Sequence, residues 1–142
     1  MKVVNILQSK GAEVFAVADT DTVARAVSVL TDKNIGAVVV KNAKGEVAGI
    51  LSERDIVRHL KDKGADVLAL SVKACMSPNP HTCRPDDSVD DLMTMMTNKR
   101  VRHLPVVNGA RLLGLVSIGD VVKRKIEEIE HEAQALKEYI SS

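Results

Sequence analysis

Gly49-Ile-Leu-Ser-Glu-Arg-Asp-Ile-Val57 recurs 65 residues later as Gly114-Leu-Val-Ser-Ile-Gly-Asp-Val-Val122, with the Gly, Ser, Asp and final Val in the same places. In a chain of 142 residues this echo is a severe constraint, because that length holds one compact body and not two ordinary domains. The body is therefore expected to be two small copies of one unit.

Upstream, at an offset of 66, the echo continues. Val23, Ala26, Val27 and Leu30 meet Val89, Leu92, Met93 and Met96, each set spaced i, i+3, i+4, i+7, which predicts one amphipathic helix per half. Thr20-Asp-Thr22 and Asp86-Asp-Ser88 supply N-cap residues ahead of each stripe. Aliphatic runs at 35–40 and 101–106 read as buried strands. Turns follow at 42–46 and 108–111, where Asn108-Gly109 suits a tight hairpin, and the second turn is one residue shorter. Strands at 47–51 and 111–116 then lead into helices opened by Ser-x-x-Asp. With a short first strand near 14–18 or 81–84, each unit is β-α-β-β-α.

A unit of about 60 residues buries too little surface to stand alone, so the two are expected to pack through their sheets about a pseudo-twofold axis, with a cleft between them. The fold class is thus α/β (α+β), with a long C-terminal helix. The expected division is a first repeat with an N-terminal helix over 1–75, a second repeat over 76–126 and a helical extension over 127–142. Met76-Ser-Pro-Asn-Pro80 reads as an extended linker, since its prolines cannot continue a helix.

A net charge of +1, with Phe15 and Tyr139 as the sole aromatic residues, argues against a nucleic-acid partner. No apolar run has the length of a signal peptide or a membrane span, so no membrane partner and a cytoplasmic location are expected. Cys75, His81 and Cys83 lack the paired spacing of a zinc site; the two cysteines read as free thiols and no metal or other cofactor is required.

Two readings of Ser-x-x-Asp compete. Serine at a helix start with an acid three residues on is close to a capping box, and spacing alone favours that reading. Yet a capping box prefers Glu or Gln, whereas both copies use Asp, and a short carboxylate at a strand-to-helix junction can accept two hydrogen bonds from a vicinal diol such as a ribose.

The two motifs, each preceded by "IGAVVVKNAKGEV" or "VRHLPVVNGARL", resemble the two copies of a CBS-domain pair, or Bateman module, over residues 1–126. The resemblance implies a cleft that binds adenosine compounds (AMP, ADP, ATP, in some members NAD or S-adenosylmethionine), with the aspartate on the ribose hydroxyls. It places Ser52 and Asp55 opposite Thr82 and the run Arg102, His103, Pro105, where Arg102 and His103 would meet phosphate and Arg54 would add to them. It sets Ser117 and Asp120 opposite Val14, Ala16 and Ile35-Gly36-Ala37, where no cation matches Arg102 or His103 and Lys33 is the candidate for a phosphate; this site is expected to be weaker or to hold the less charged part of a dinucleotide.

No nucleotide-binding glycine loop, metalloprotease motif or nucleophile with an assigned base is present, so the chain reads as a non-enzymatic regulatory module with an adenosine-containing ligand and an unknown regulated protein. The alternative is an interaction or scaffold module in which both motifs only cap helices. Ile126, Ile129, Ala133, Leu136 and Ile140 recur at heptad spacing, which favours a homodimer, the alternative being a helix folded back on its own domain.

Overall fold

The computed structural model describes residues 1–11 and 13–141. Helix α1 (Val3–Lys10) precedes strand β1 (Ala16–Ala18), helix α2 (Val23–Lys33), strands β2 (Ala37–Lys41) and β3 (Val47–Ser52) and helix α3 (Glu53–Lys63). A 3-10 turn (Gly64–Ala69), the short helix α4 (Val72–Cys75) and the two-residue strand β4 (Ser77–Pro78) lead to the second unit. That unit holds helix α5 (Val89–Lys99), strands β5 (His103–Asn108) and β6 (Arg111–Ser117) and the helix α6 (Ile118–Ser141). No helix among the described residues is long and apolar enough to cross a membrane.

The first sheet runs β1-β2-β3-β4, with β1 parallel to β2 and the other pairs antiparallel. The second sheet is the β5-β6 hairpin, and its first strand shrinks to a single parallel bridge from Cys83 to Val106. Pro80 and Pro85 flank that residue, and proline has no N–H to extend a ladder. The expected linker 76–80 is extended, but Ser77 and Pro78 pair with Ile50 and Gly49 as an edge strand.

Duplication extends to details of the backbone. Both β2 and β5 carry a register shift, after Val40 and after Val106. Thr22 and Ser88 cap α2 and α5 by accepting from the N–H of Arg25 and Asp91. Both helices end in a left-handed residue, Asn34 (φ 53°) and Arg100 (φ 54°). Asparagine tolerates that conformation; in arginine it costs on the order of 1–2 kcal/mol.

Two apolar clusters form the interior. The first gathers Val23, Ala26 and Leu30 of α2, Val38 and Val40 of β2 and Leu51 of β3 with Val72 and Cys75 of α4. The second gathers Val89, Leu92 and Met96 of α5 with Leu104, Val106, Val116 and Val121, and its remaining members are Cys83 and Val3, Ile6 and Leu7 of α1. Ala37, Val39 and Ile50 are also buried, outside the first cluster, because β2 and β3 are covered on both faces as sheet-to-sheet packing of the repeats requires.

Thus α1, first in the chain, completes the second repeat, while α4 completes the first. The backbone links match: Val3 N–H donates to Asp87 and Val89 N–H to Met1, just as Val72 N–H donates to Asp21 and Val23 N–H to Leu70. Each docked segment also explains the glycine that opens the motif it covers. A Cβ on Gly49 would lie 2.6 Å from Met76 Sδ and 2.7 Å from the Ser77 carbonyl; one on Gly114 would lie 2.5 Å from Leu7 Cδ2.

Candidate functional site

At the first motif the capping geometry is complete. Ser52 Oγ accepts from the Asp55 N–H (3.3 Å), and Asp55 Oδ2 accepts from both the N–H and the hydroxyl of Ser52, each at 3.0 Å. The aspartate arm is therefore long enough to close the box. Asp55 is 5 % exposed, and it is the sole buried charged residue among those described. Its second oxygen, Oδ1, accepts from Ser77 Oγ at 3.1 Å and lies 3.8 Å from Arg58.

A cavity of about 420 Å³ opens in front of this corner and is walled by both repeats. The first repeat contributes Gly36, Ser52, Arg54, Asp55 and Arg58, the linker Ser77, Asn79 and His81, and the second repeat Arg100, Arg102 and His103. Of the residues anticipated here, Ser52, Arg54, Asp55, Arg102 and His103 come together. Thr82 is exposed outside the lining, and Pro105 is buried in β5 opposite Leu115.

Gly36 belongs to this cleft and not to the Asp120 corner, because Ala37 pairs with Ser52 and the Gly36 carbonyl accepts from the Glu53 N–H. Arg58, Arg100, Asn79 and His81 escaped the reading of the sequence. Arg58 stands one helical turn beyond Asp55, and Arg100 opens the basic run Arg100-Val-Arg-His103, so both had a signal. Asn79 and His81 had none, since they depend on how the linker pairs.

Asp120 repeats the local bonds: Oδ2 accepts from the Ser117 N–H (2.9 Å), and Ser117 Oγ accepts from the Asp120 N–H (3.1 Å). Its surroundings differ. Lys10 Nζ from α1 sits 2.7 Å from Asp120 Oδ2 and donates also to the Leu115 carbonyl. The small cavity beside it is lined by Ile6, Ser9, Lys10, Lys123, Arg124 and Glu127; Ala16, Ile35 and Ala37 take no part in it, and Ala37 is buried at 3 % exposure. Lys33 stacks over the Phe15 ring, 5.2 Å from its centroid.

Burial works against the Asp120 charge, but the Lys10 hydrogen bond, the Ser117 backbone bond and the Lys10 charge outweigh it and hold the carboxyl below its ordinary range. His103 stands between the two corners. Burial pushes its pKa down; Asp120 pulls it up, Lys10 and Arg102 push it down, and Glu53 pulls it up, the balance being a lowered value. Both cysteines are buried and free, burial carries the Cys83 thiol up to about 12, and no group of potential metal ligands occurs among the described residues.

The CBS domain model matches the chain twice, at residues 9–62 and 72–127. A mitochondrial CBS domain-containing protein of Arabidopsis thaliana is 39 % identical over 124 residues, covering 84 % of this chain, which in turn spans 60 % of that longer protein. The crystal structure of a CBS-domain containing protein from Agrobacterium tumefaciens is 41 % identical, with a TM-score of 0.83 over 87 % of this chain and 92 % of the other. A CBS domain protein of Pyrobaculum aerophilum solved with AMP shares the fold at 23 % identity, with a TM-score of 0.76 over 84 % of this chain and 89 % of that one. Two repeats of matching fold, each closed by a Ser-x-x-Asp helix start, place this chain in the CBS-domain family as a pair of CBS domains.

Proposed function

We propose that the chain is a regulatory module that binds one adenosine-containing ligand (AMP, ADP, ATP or NAD) in the cleft between its repeats and catalyses no reaction. The observation that carries this reading is the single cavity that brings the Ser52–Asp55 corner of one repeat against Arg102 and His103 of the other. The Pyrobaculum protein, of like fold, was solved with AMP.

Asp55 Oδ2 is filled by Ser52, so a ribose diol would use Oδ1. Two hydrogen bonds there require the Ser77 hydroxyl to turn away, exchanging one contact for two. Ligand binding would thereby loosen β4 from the first repeat, a displacement at the junction between the repeats that a regulated protein can sense. A neutral His103 donates its one N–H to a phosphate oxygen beside the Arg102 charge.

The module is further proposed to act as a homodimer. Val122, Ile126, Ile129, Leu136 and Ile140 of α6 and Val57 and Leu60 of α3 are exposed large apolar side chains, and from residue 129 to 141 α6 has no buried residue. Light scattering of Ile129→Glu against the unsubstituted chain tests this, the variant running at half the mass.

The second reading, a scaffold with no ligand, is favoured by the completeness of both capping boxes, which account for Ser52, Asp55, Ser117 and Asp120 without a ligand. A thermal-shift titration of ligand-stripped protein with AMP, ADP, ATP, NAD and S-adenosylmethionine separates the two. A saturable rise in Tm supports the sensor; no shift with any of them in a folded protein supports the scaffold.

A further inference from the structure

The cleft collects arginine from three places in the chain. Arg54 and Arg58 come from α3, Arg100 from the end of α5 and Arg102 from the approach to β5. Beside these four guanidinium groups the lining holds two carboxylates, Glu53 and Asp55, and Arg58 lies 3.8 Å from Asp55 Oδ1. One guanidinium fork matches two phosphate oxygens, so a monophosphate is served by one or two arginines. Four forks exceed the number that the three terminal oxygens of a monophosphate can engage.

Arg100 carries a second, independent signal. Its φ of 54° is a left-handed backbone that favours glycine or asparagine, and the matching position of the first repeat is Asn34, which does not line the cleft. Of these two matched positions, the one that lines the cavity is the one that carries arginine. Strain kept at a ligand-facing residue points to a side-chain role there.

We infer that the cleft, granted the nucleotide reading above, selects a phosphate chain of two or more phosphoryl groups. Nucleoside di- and triphosphates bind ahead of monophosphates, and S-adenosylmethionine, with its sulfonium cation, binds weakest. Arg58 and Arg100 are the residues that set this preference, supplying charge beyond that of Arg102.

Calorimetric titration of the ligand-stripped full chain with ATP, ADP, AMP and adenosine, and with inorganic triphosphate and phosphate as probes free of a nucleoside, tests the assignment. Affinity should rise from AMP to ATP by about tenfold or more, the scale of one added charge-assisted contact. Arg58→Gln and Arg100→Asn should each lower ATP affinity about tenfold, with a much smaller loss for AMP, on the same scale. Arg100→Asn should also raise Tm, since it relieves the backbone. Equal affinities for AMP and ATP, or an Arg100→Asn variant that gains Tm and keeps its ATP affinity, would overturn the inference and leave the nucleotide reading intact. Inorganic triphosphate binding as tightly as ATP, with adenosine not binding, would keep the polyphosphate selection and remove the nucleotide reading. Failure of every probe to bind removes both.

Discussion

The two Ser-x-x-Asp corners share their local hydrogen bonds and part company at what reaches them from the segment docked beside each. Asp55 receives a serine hydroxyl from β4 and faces a large cavity; Asp120 receives the ammonium of Lys10 from α1 and faces a small one. Duplication thus fixed the cap in both repeats, and unlike docking segments gave the caps different surroundings. A ligand can exchange with a neutral hydroxyl at Asp55, whereas at Asp120 it meets a carboxylate whose charge Lys10 already offsets at 2.7 Å.

The sharpest break in the comparison comes from the motif glycines. Gly49→Ala drives a methyl into the Ser77 carbonyl as well as Met76, and backbone yields poorly, so a loss of about 3 kcal/mol in urea unfolding is expected. Gly114→Ala meets only the tip of Leu7 and should lose about 1 kcal/mol. Equal losses would mean that the two docking segments are equally rigid.

Next in size is the aspartate pair. Asp55→Ala removes a buried carboxylate and leaves the half-buried Ser52 N–H without its partner, and should cost about 2 kcal/mol. Asp120→Ala, at a side chain 23 % exposed, should cost about half that. The reverse order in chemical denaturation would overturn the assignment of Asp55 as the more deeply built corner.

The α1–α4 exchange shows where the sequence stopped being legible. Apolar spacing at Val23–Leu30 and Val89–Met96 fixed the helices, and Asn108-Gly109 the hairpin, because those signals are local. Nothing local tells Val3, Ile6 and Leu7 that their cavity lies beyond Cys83; that is decided by which repeat has an uncovered face. The same holds for Lys10, which no spacing links to Asp120 across 110 residues. Arg102 and His103 could be placed through the family resemblance of the run that carries them, whereas Asn79 and His81 depend on the register of two-residue β4.

His103 offers a pH-dependent test. Burial, Lys10 and Arg102 disfavour its imidazolium in the folded protein, so the unfolded chain takes up the proton more readily. Stability is then full above the ordinary value of 6.5 and declines as pH falls from there through the lowered folded value. His103→Gln should flatten that decline, with Tm between pH 8 and 5 as the readout. The Asp120 carboxyl, held low, adds a separate loss below its ordinary 3.8, which Lys10→Gln should diminish. Persistence of the upper transition in His103→Gln would assign it to another group.

The smallest effect on stability is expected from Lys10→Gln itself, about 0.5 kcal/mol for a pair with one partner 37 % exposed. Its consequence for binding is larger, since it frees Asp120. A second, weaker nucleotide should then bind per chain; an unchanged stoichiometry would mean that the small cavity, and not the ion pair, closes the second corner.

The most direct test of unequal corners is the number of ATP molecules bound per chain, measured by isothermal titration of the ligand-stripped protein. One is expected, lost in Arg102→Gln and retained in Asp120→Asn. Two per chain in the unsubstituted protein, or a single site that survives Arg102→Gln and disappears in Asp120→Asn, would contradict that expectation.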